Sequence, residues 1–181
     1  MSTGGSVGTG GASASGGSDA SGGASTGDGG TAAGGGTTNP NRNDLIHATF
    51  DDAVVGNYAQ ASVIDDFGFA APWNDGLDEG RAAIVEENGE RFLRVTYTGG
   101  QYGPGAGGVQ FQVPFGGAHE ELYFSYRVRF AAGFDFVKGG KLPGLVGGSS
   151  PTGCSPQPDG FSARNMWRTG GAEVKYFYYP T

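Results

Sequence analysis

The sequence predicts an all-β fold, a jelly-roll β-sandwich preceded by a disordered tract rich in Gly, Ser and Thr. Three observations predict it. Several segments alternate apolar and polar residues with a period of two, Gly-rich stretches separate them, and no segment carries an apolar stripe of helical period. This combination is typical of sandwiches and jelly rolls.

The first forty residues form a low-complexity tract. Residues 1–40 hold 15 of the 38 glycines, two charged residues and no aromatic residue, so they lack the apolar surface that offsets chain entropy. We predict a disordered linker over 1–40 and one β-domain over 41–181. No run approaches the roughly 18 apolar residues of a membrane span. Because such tracts often separate a surface anchor from an exported domain, we expect a secreted or cell-surface protein.

The strands follow from alternation. Residues 91–98 (RFLRVTYT), 109–113 (VQFQV) and 122–130 (LYFSYRVRF) each show period two. The loop before the second of these contains glycines that formally match a dinucleotide-binding pattern. We reject that site because an alternating strand follows the loop, where the fingerprint requires a helix.

Residues 161–168 (FSARNMWR) and 173–179 (EVKYFYY) predict a hairpin, and its loop length decides which faces coincide. A two-residue loop sets Arg164 opposite Phe177. An odd loop of three residues sets Arg164 opposite Tyr176 or Tyr178, and it gathers Ser162 on the same surface. We predict the odd loop.

The charge is divided unevenly along the chain. The net charge is −7, but residues 122–181 carry seven Lys plus Arg against three carboxylates, a local excess of +4. The basic end suits an anionic partner, whereas a pI near 4.6 argues against a nucleic-acid-binding protein. Cys154 is the sole cysteine, which excludes an internal disulfide framework, and His47 and His119 have no ligand-like spacing, so we expect no metal site.

The stretch FVKGGKLPGL (136–145) has no apolar periodicity and predicts a loop that carries Lys138 and Lys141. A guanidinium, a hydroxyl, two phenols and a loop lysine together suit β-elimination from a uronic acid. Cations stabilise the enolate that forms when the proton beside the carboxylate leaves, and a phenol can act as acid or base. The alternatives are solvated loop lysines, arginines that pair with acidic residues across strands, and tyrosines that pack in the core.

Three blocks, GFDFVKGGKLPGL, GFSARNMWR and VKYFYYP, resemble polysaccharide lyase family 14 in order and spacing. The family contains alginate lyases and glucuronan lyases built on a β-jelly roll. The resemblance is most specific over residues 133–180 and extends weakly back to about Leu45. Family members continue for several strands beyond the tyrosine hairpin, so the resemblance implies that residues 41–181 are a C-terminally incomplete domain.

The resemblance also implies roles. The family's catalytic lysine falls on Lys141, its serine and arginine on Ser162 and Arg164, and its tyrosine pair on Tyr176 and Tyr178. Lys141 and Arg164 would neutralise the uronate, Ser162 would orient it, and the tyrosines would handle the protons, with their individual roles left open. Lys138 and Arg168 are candidate substrate-binding residues.

The sequence therefore predicts a lyase that acts on an anionic polysaccharide such as alginate or glucuronan. We expect it to be monomeric, to need no cofactor and to bind no nucleic acid. The alternative is a jelly-roll carbohydrate-binding module that grips polyuronates through the same basic surface without chemistry. A third class, an adhesion or matrix protein, would need further domains.

Overall fold

The computed structural model describes residues 6–15, 44–103, 105–153 and 159–180, and for residues 6–15 the backbone alone. In this part of the chain nearly all regular structure is strand, accompanied by one short α-helix, and the sheets are open. The predicted all-β class is confirmed. The chain divides into two compact units, Met1–Phe134 and Asp135–Thr181.

The first unit contains a six-stranded sheet and a small two-stranded one. The large sheet has the order β2-β1-β6-β5-β3, with β8 also paired to β1, and the small sheet pairs β4 with β7. The strands are β1 (Ser6–Ser15), β2 (Asp44–Ala48), β3 (Gly56–Asn57), β4 (Asn74–Asp75), β5 (Ala82–Glu87), β6 (Glu90–Thr96), β7 (Gln110–Phe111) and β8 (Tyr123–Phe130).

Strand β1 was not predicted. It lies in the Gly- and Ser-rich tract, which carries no alternating signal, and its backbone pairs with β2, β6 and β8. The rest of residues 1–40 lies outside the described residues, so its role as a linker stays a prediction.

The core of the first unit lies between the large sheet and helix α1 (Gln60–Phe67). Tyr58, Val63 and Leu77 are fully buried in it, and the rings of Phe50 and Tyr58 meet edge to face at 5.9 Å. The sequence did not predict α1, because only Val63 of its eight residues is buried and two adjacent aspartates interrupt any apolar stripe. The helix ends at Gly68, whose φ of 76° is easy only for glycine.

The second unit is a three-stranded antiparallel sheet of order β11-β10-β9. Its strands are β9 (Gly139–Gly147), β10 (Phe161–Arg168) and β11 (Glu173–Tyr178). Strand β10 has the predicted bounds and β11 ends one residue earlier than predicted. Strand β9 is new, because its segment was predicted to be a loop. Across the described residues, no helix has the length and apolar character needed to span a bilayer.

Candidate active site

The hairpin of β10 and β11 sets the register of the site. A three-residue turn, Thr169–Gly171, joins the strands, and the Arg168 N–H donates to the Ala172 carbonyl at 2.7 Å. Two positive φ angles, 74° and 84°, fall on the two glycines of this turn, which adopt them without strain. The odd loop is therefore confirmed.

This register gathers four of the predicted residues. Arg164 lies opposite Tyr176, and Ser162 lies opposite Tyr178. Directly opposite residues of an antiparallel pair project from the same face of the sheet. One face of the second unit therefore presents a hydroxyl, a guanidinium and two phenols from two adjacent strands.

The two phenols form a pair. The hydroxyl oxygens of Tyr176 and Tyr178 lie 2.6 Å apart, within hydrogen-bond distance, and either can be the donor. Their rings meet edge to face with centroids 5.1 Å apart. Both side chains are half-buried, whereas Phe177 between them projects from the opposite face and is 59% exposed. A proton can pass between the two oxygens without a change in the backbone.

Arg164 places a charged fork beside this pair. Its Nε and one terminal nitrogen are shielded from solvent and have no hydrogen-bond partner among the described residues. Burial lowers the pKa of Arg164, and the neighbouring Tyr178 and Tyr176 phenols offset part of this effect. Because a guanidinium keeps its proton in proteins, Arg164 places a positive charge beside the phenol pair.

Ser162 is the most deeply buried of the seven predicted site residues. Its side chain is fully buried, and its Oγ atom likewise has no partner within the described ranges. The neighbours across the strands are Tyr178 on β11 and Val146 on β9. The hydroxyl is thus placed behind the tyrosine pair.

Lys141 corrects the prediction of a loop, because it lies within strand β9 and opposite Met166 of β10. Its side chain is exposed, and the Nζ atom lies 5.3 Å from the ring centroid of Tyr176, within the range of a cation–π contact. The ammonium group therefore joins the face that carries Arg164 and the two phenols.

Lys138 and Arg168 lie together at one end of the sheet. Gly139, which follows Lys138, pairs with Arg168, and both cationic side chains are exposed. Arg168 is four residues from Arg164 along β10, about 13 Å at the usual rise of a strand. These two cations are therefore separate from the central group rather than part of it.

Sequence analysis did not predict the β-bulge next to Lys141. Strand β9 has a register irregularity opposite Asn165, at Leu142 and Pro143. A proline inside a strand is the signal that could have indicated it, since proline cannot donate to the ladder and is found at bulges.

Within the described residues, no group of three or more His, Cys, Asp and Glu side chains is arranged to hold a metal ion. Cys154 falls outside the described residues.

The part of the chain that carries these residues matches a known protein family. A family model described as Polysaccharide lyase 14 matches residues 85–181, more than half of the chain, and the match includes all seven predicted site residues. No curated protein and no solved structure gave a significant match.

Proposed function

The chain belongs to the polysaccharide lyase 14 family, and on that basis we propose that it cleaves a uronate-containing polysaccharide, such as alginate or glucuronan, by β-elimination. The observation that carries this proposal is the hydrogen-bonded phenol pair of Tyr176 and Tyr178 on the same face as two cations, Arg164 opposite Tyr176 and Lys141 over its ring.

The reaction requires a base next to positively charged groups that stabilise the developing enolate. The base removes the proton from the carbon next to the uronate carboxylate, and the electron pair enters that carboxylate as an enolate. The enolate then collapses, a carbon–carbon double bond forms, the glycosidic bond on the neighbouring carbon breaks, and its oxygen takes a proton. No water is consumed and no electron is gained or lost.

Arg164 and Lys141 supply this positive charge. Each carries one positive charge, and negative charge on the carboxylate increases toward the enolate, so both cations stabilise the transition state more than the ground state. Arg164 suits the task because its planar fork matches the two oxygens of a carboxylate.

Tyr176 and Tyr178 supply the proton transfers. A phenol can accept a proton as phenolate and donate one as phenol, so two adjacent phenols can serve as base and acid. One phenol takes the carbon-bound proton and the other donates to the leaving oxygen. Their 2.6 Å contact lets the proton return between turnovers. Ser162, behind the pair, orients the site.

Lys138 and Arg168 contact carboxylates of neighbouring sugars. Both side chains are exposed at the hairpin end of the sheet, and Arg168 lies about 13 Å from Arg164 along the strand, far enough to bind a different part of the polymer. We further propose that the protein acts as a monomer outside the cell, where a polymeric substrate is accessible.

Ultraviolet absorbance of alginate and glucuronan solutions tests the proposal, because elimination creates a conjugated double bond and hydrolysis does not. The wild-type protein should raise the absorbance, and Lys141→Ala should slow the rise by about 10²- to 10³-fold. Lys175→Ala is a matched control, since Lys175 lies on the opposite face and donates to Asn165 at 2.6 Å. A folded protein that binds either polymer without any rise in absorbance would instead be a carbohydrate-binding module.

A further inference from the structure

The segment from Gly140 to Gly144 contains one residue more than the stretch of β10 that it faces. Gly144 lies opposite Arg164, and Gly140 lies opposite Trp167. Three residues separate the two glycines on β9, but only two separate their partners on β10. The extra residue forms a one-residue β-bulge at Leu142 and Pro143.

Both glycines hold this register because neither position has room for a side chain. A Cβ atom at Gly144 would overlap the backbone of Ala163 and would lie 2.6 Å from the Cα of Arg164. A Cβ atom at Gly140 would overlap the indole ring of Trp167, which is 5% exposed. A backbone and a buried ring cannot move aside at low cost.

The bulge absorbs the extra residue and so keeps Lys141 on the face that carries Arg164. Lys141 and Gly144 are three residues apart, so in a regular strand their side-chain positions would be on opposite faces. The extra residue cancels this alternation and sets Lys141 opposite Met166, which shares the face of Arg164. Pro143 is suited to the bulge because it has no N–H to donate to the ladder.

We propose that Gly140 and Gly144 are positioning residues for Lys141, and that by fixing the bulge they turn its ammonium toward the tyrosine pair. This inference rests on the proposed function, because it assigns how the catalytic cation reaches the site. The Lys141 Nζ atom lies 5.3 Å from the Tyr176 ring centroid, as the bulged register requires.

A double-mutant cycle with rescue tests the inference, with elimination followed by absorbance. Gly140→Ala should lower kcat as much as Lys141→Ala does, and the double variant should be no slower than Lys141→Ala alone, because both changes remove the same group from the site. Trp167→Phe in the Gly140→Ala background shortens the overlapping ring and should recover part of the rate. Gly105→Ala is the control, since a Cβ atom there meets nothing within 4 Å.

Deletion of Pro143 provides a second test that does not depend on the folding of Gly140→Ala. The deletion removes the extra residue, and Lys141 stays opposite Met166 and so on the same face. Because a 1 Å misplacement can lower a rate by about 10²-fold, we expect the rate of this variant to fall by less than that.

A Gly140→Ala rate near that of wild type would overturn the inference, as would a loss that multiplies with that of Lys141→Ala. A folded but inactive deletion variant would also overturn it. A wild-type protein that gives no absorbance rise would overturn the proposed function itself, and a Lys141→Ala variant with an unchanged rate would overturn the role of Lys141.

Discussion

Removing one phenol oxygen at a time separates chemistry from binding. Tyr176→Phe and Tyr178→Phe keep both rings, which meet edge to face at 5.1 Å, and each deletes the 2.6 Å contact between the hydroxyls. The fold then loses one half-buried hydrogen bond, a net cost of about 1 kcal/mol in the free energy of unfolding. The variants should therefore remain folded.

The expected effect on turnover is much larger. A positioned acid or base contributes about 10²- to 10⁴-fold to a rate, which is roughly 3–5 kcal/mol of barrier at about 1.4 kcal/mol per factor of ten. Because the two oxygens exchange one proton, the double variant should lose little more than the slower single variant. Affinity for the polymer should change little, since the rings and both cations remain.

Initial rates of absorbance increase at saturating polymer give kcat, and isothermal titration calorimetry gives the affinity. Tyr102→Phe is the control, because Tyr102 lies in the first unit and is 90% exposed. Single variants that keep kcat within about threefold of wild type would refute the role of the phenols, since that is far less than general acid–base catalysis supplies. Loss of affinity with no elimination by the wild-type protein would favour the binding module.

Three further outcomes are expected. Arg168→Ala should raise KM by about two- to fivefold at low salt with kcat unchanged, and the effect should vanish in high salt, because Arg168 is exposed and ion pairs at such sites are weak and screened. Asp66→Asn should stabilise the fold at neutral pH. Burial raises the pKa of Asp66, so the folded state favours the neutral carboxyl. The stability that the neutral carboxyl contributes is complete below about pH 4 and is lost as the pH rises through the folded-state pKa. Denaturant unfolding of the wild type and the variant at pH 3.5 and 7 measures the difference. Val137→Asn should raise the free energy of unfolding by about 1 kcal/mol in thermal denaturation, since Val137 holds a φ of 40° that strains a β-branched residue and that asparagine tolerates.

Alternation predicted five of the eleven strands in the described residues, and the structure shows why one of the five is shorter. Residues 90–96, 123–130, 161–168 and 173–178 are strands close to the predicted bounds. Of the predicted strand over 109–113, only Gln110–Phe111 pair, and their partner β4 is two residues long. A period of two indicates which side chains are buried, but the length of a paired strand depends on how many residues its partner strand offers for hydrogen bonding.

The hairpin was more predictable than the rest of the site because its determinants are local. Alternation assigned Ser162 and Arg164 to one face of their strand, and the short Gly-rich link restricted the register to two parities. The observed pairing of Arg164 with Tyr176 is one of the two pairings that the odd loop allows. No comparable local signal existed for β9, whose glycines and proline suggested a loop.

The strand character of β9 depends on residues that are distant in the sequence. Gly140 and Gly144 carry no side chain and so contribute nothing to a periodic pattern. Their role is to let the backbone of β9 approach Trp167 and Arg164 of β10 closely. The bulge between them also breaks period two directly after Lys141, the lysine that we propose to be catalytic. The sequence motif therefore identifies Lys141 as a catalytic candidate, but the lack of alternation around it predicts a loop where the structure has a strand. The face that Lys141 occupies depends on the number of residues between Gly140 and Gly144. That number decides the face only because both glycines pair with residues of β10, which the sequence of β9 alone does not reveal.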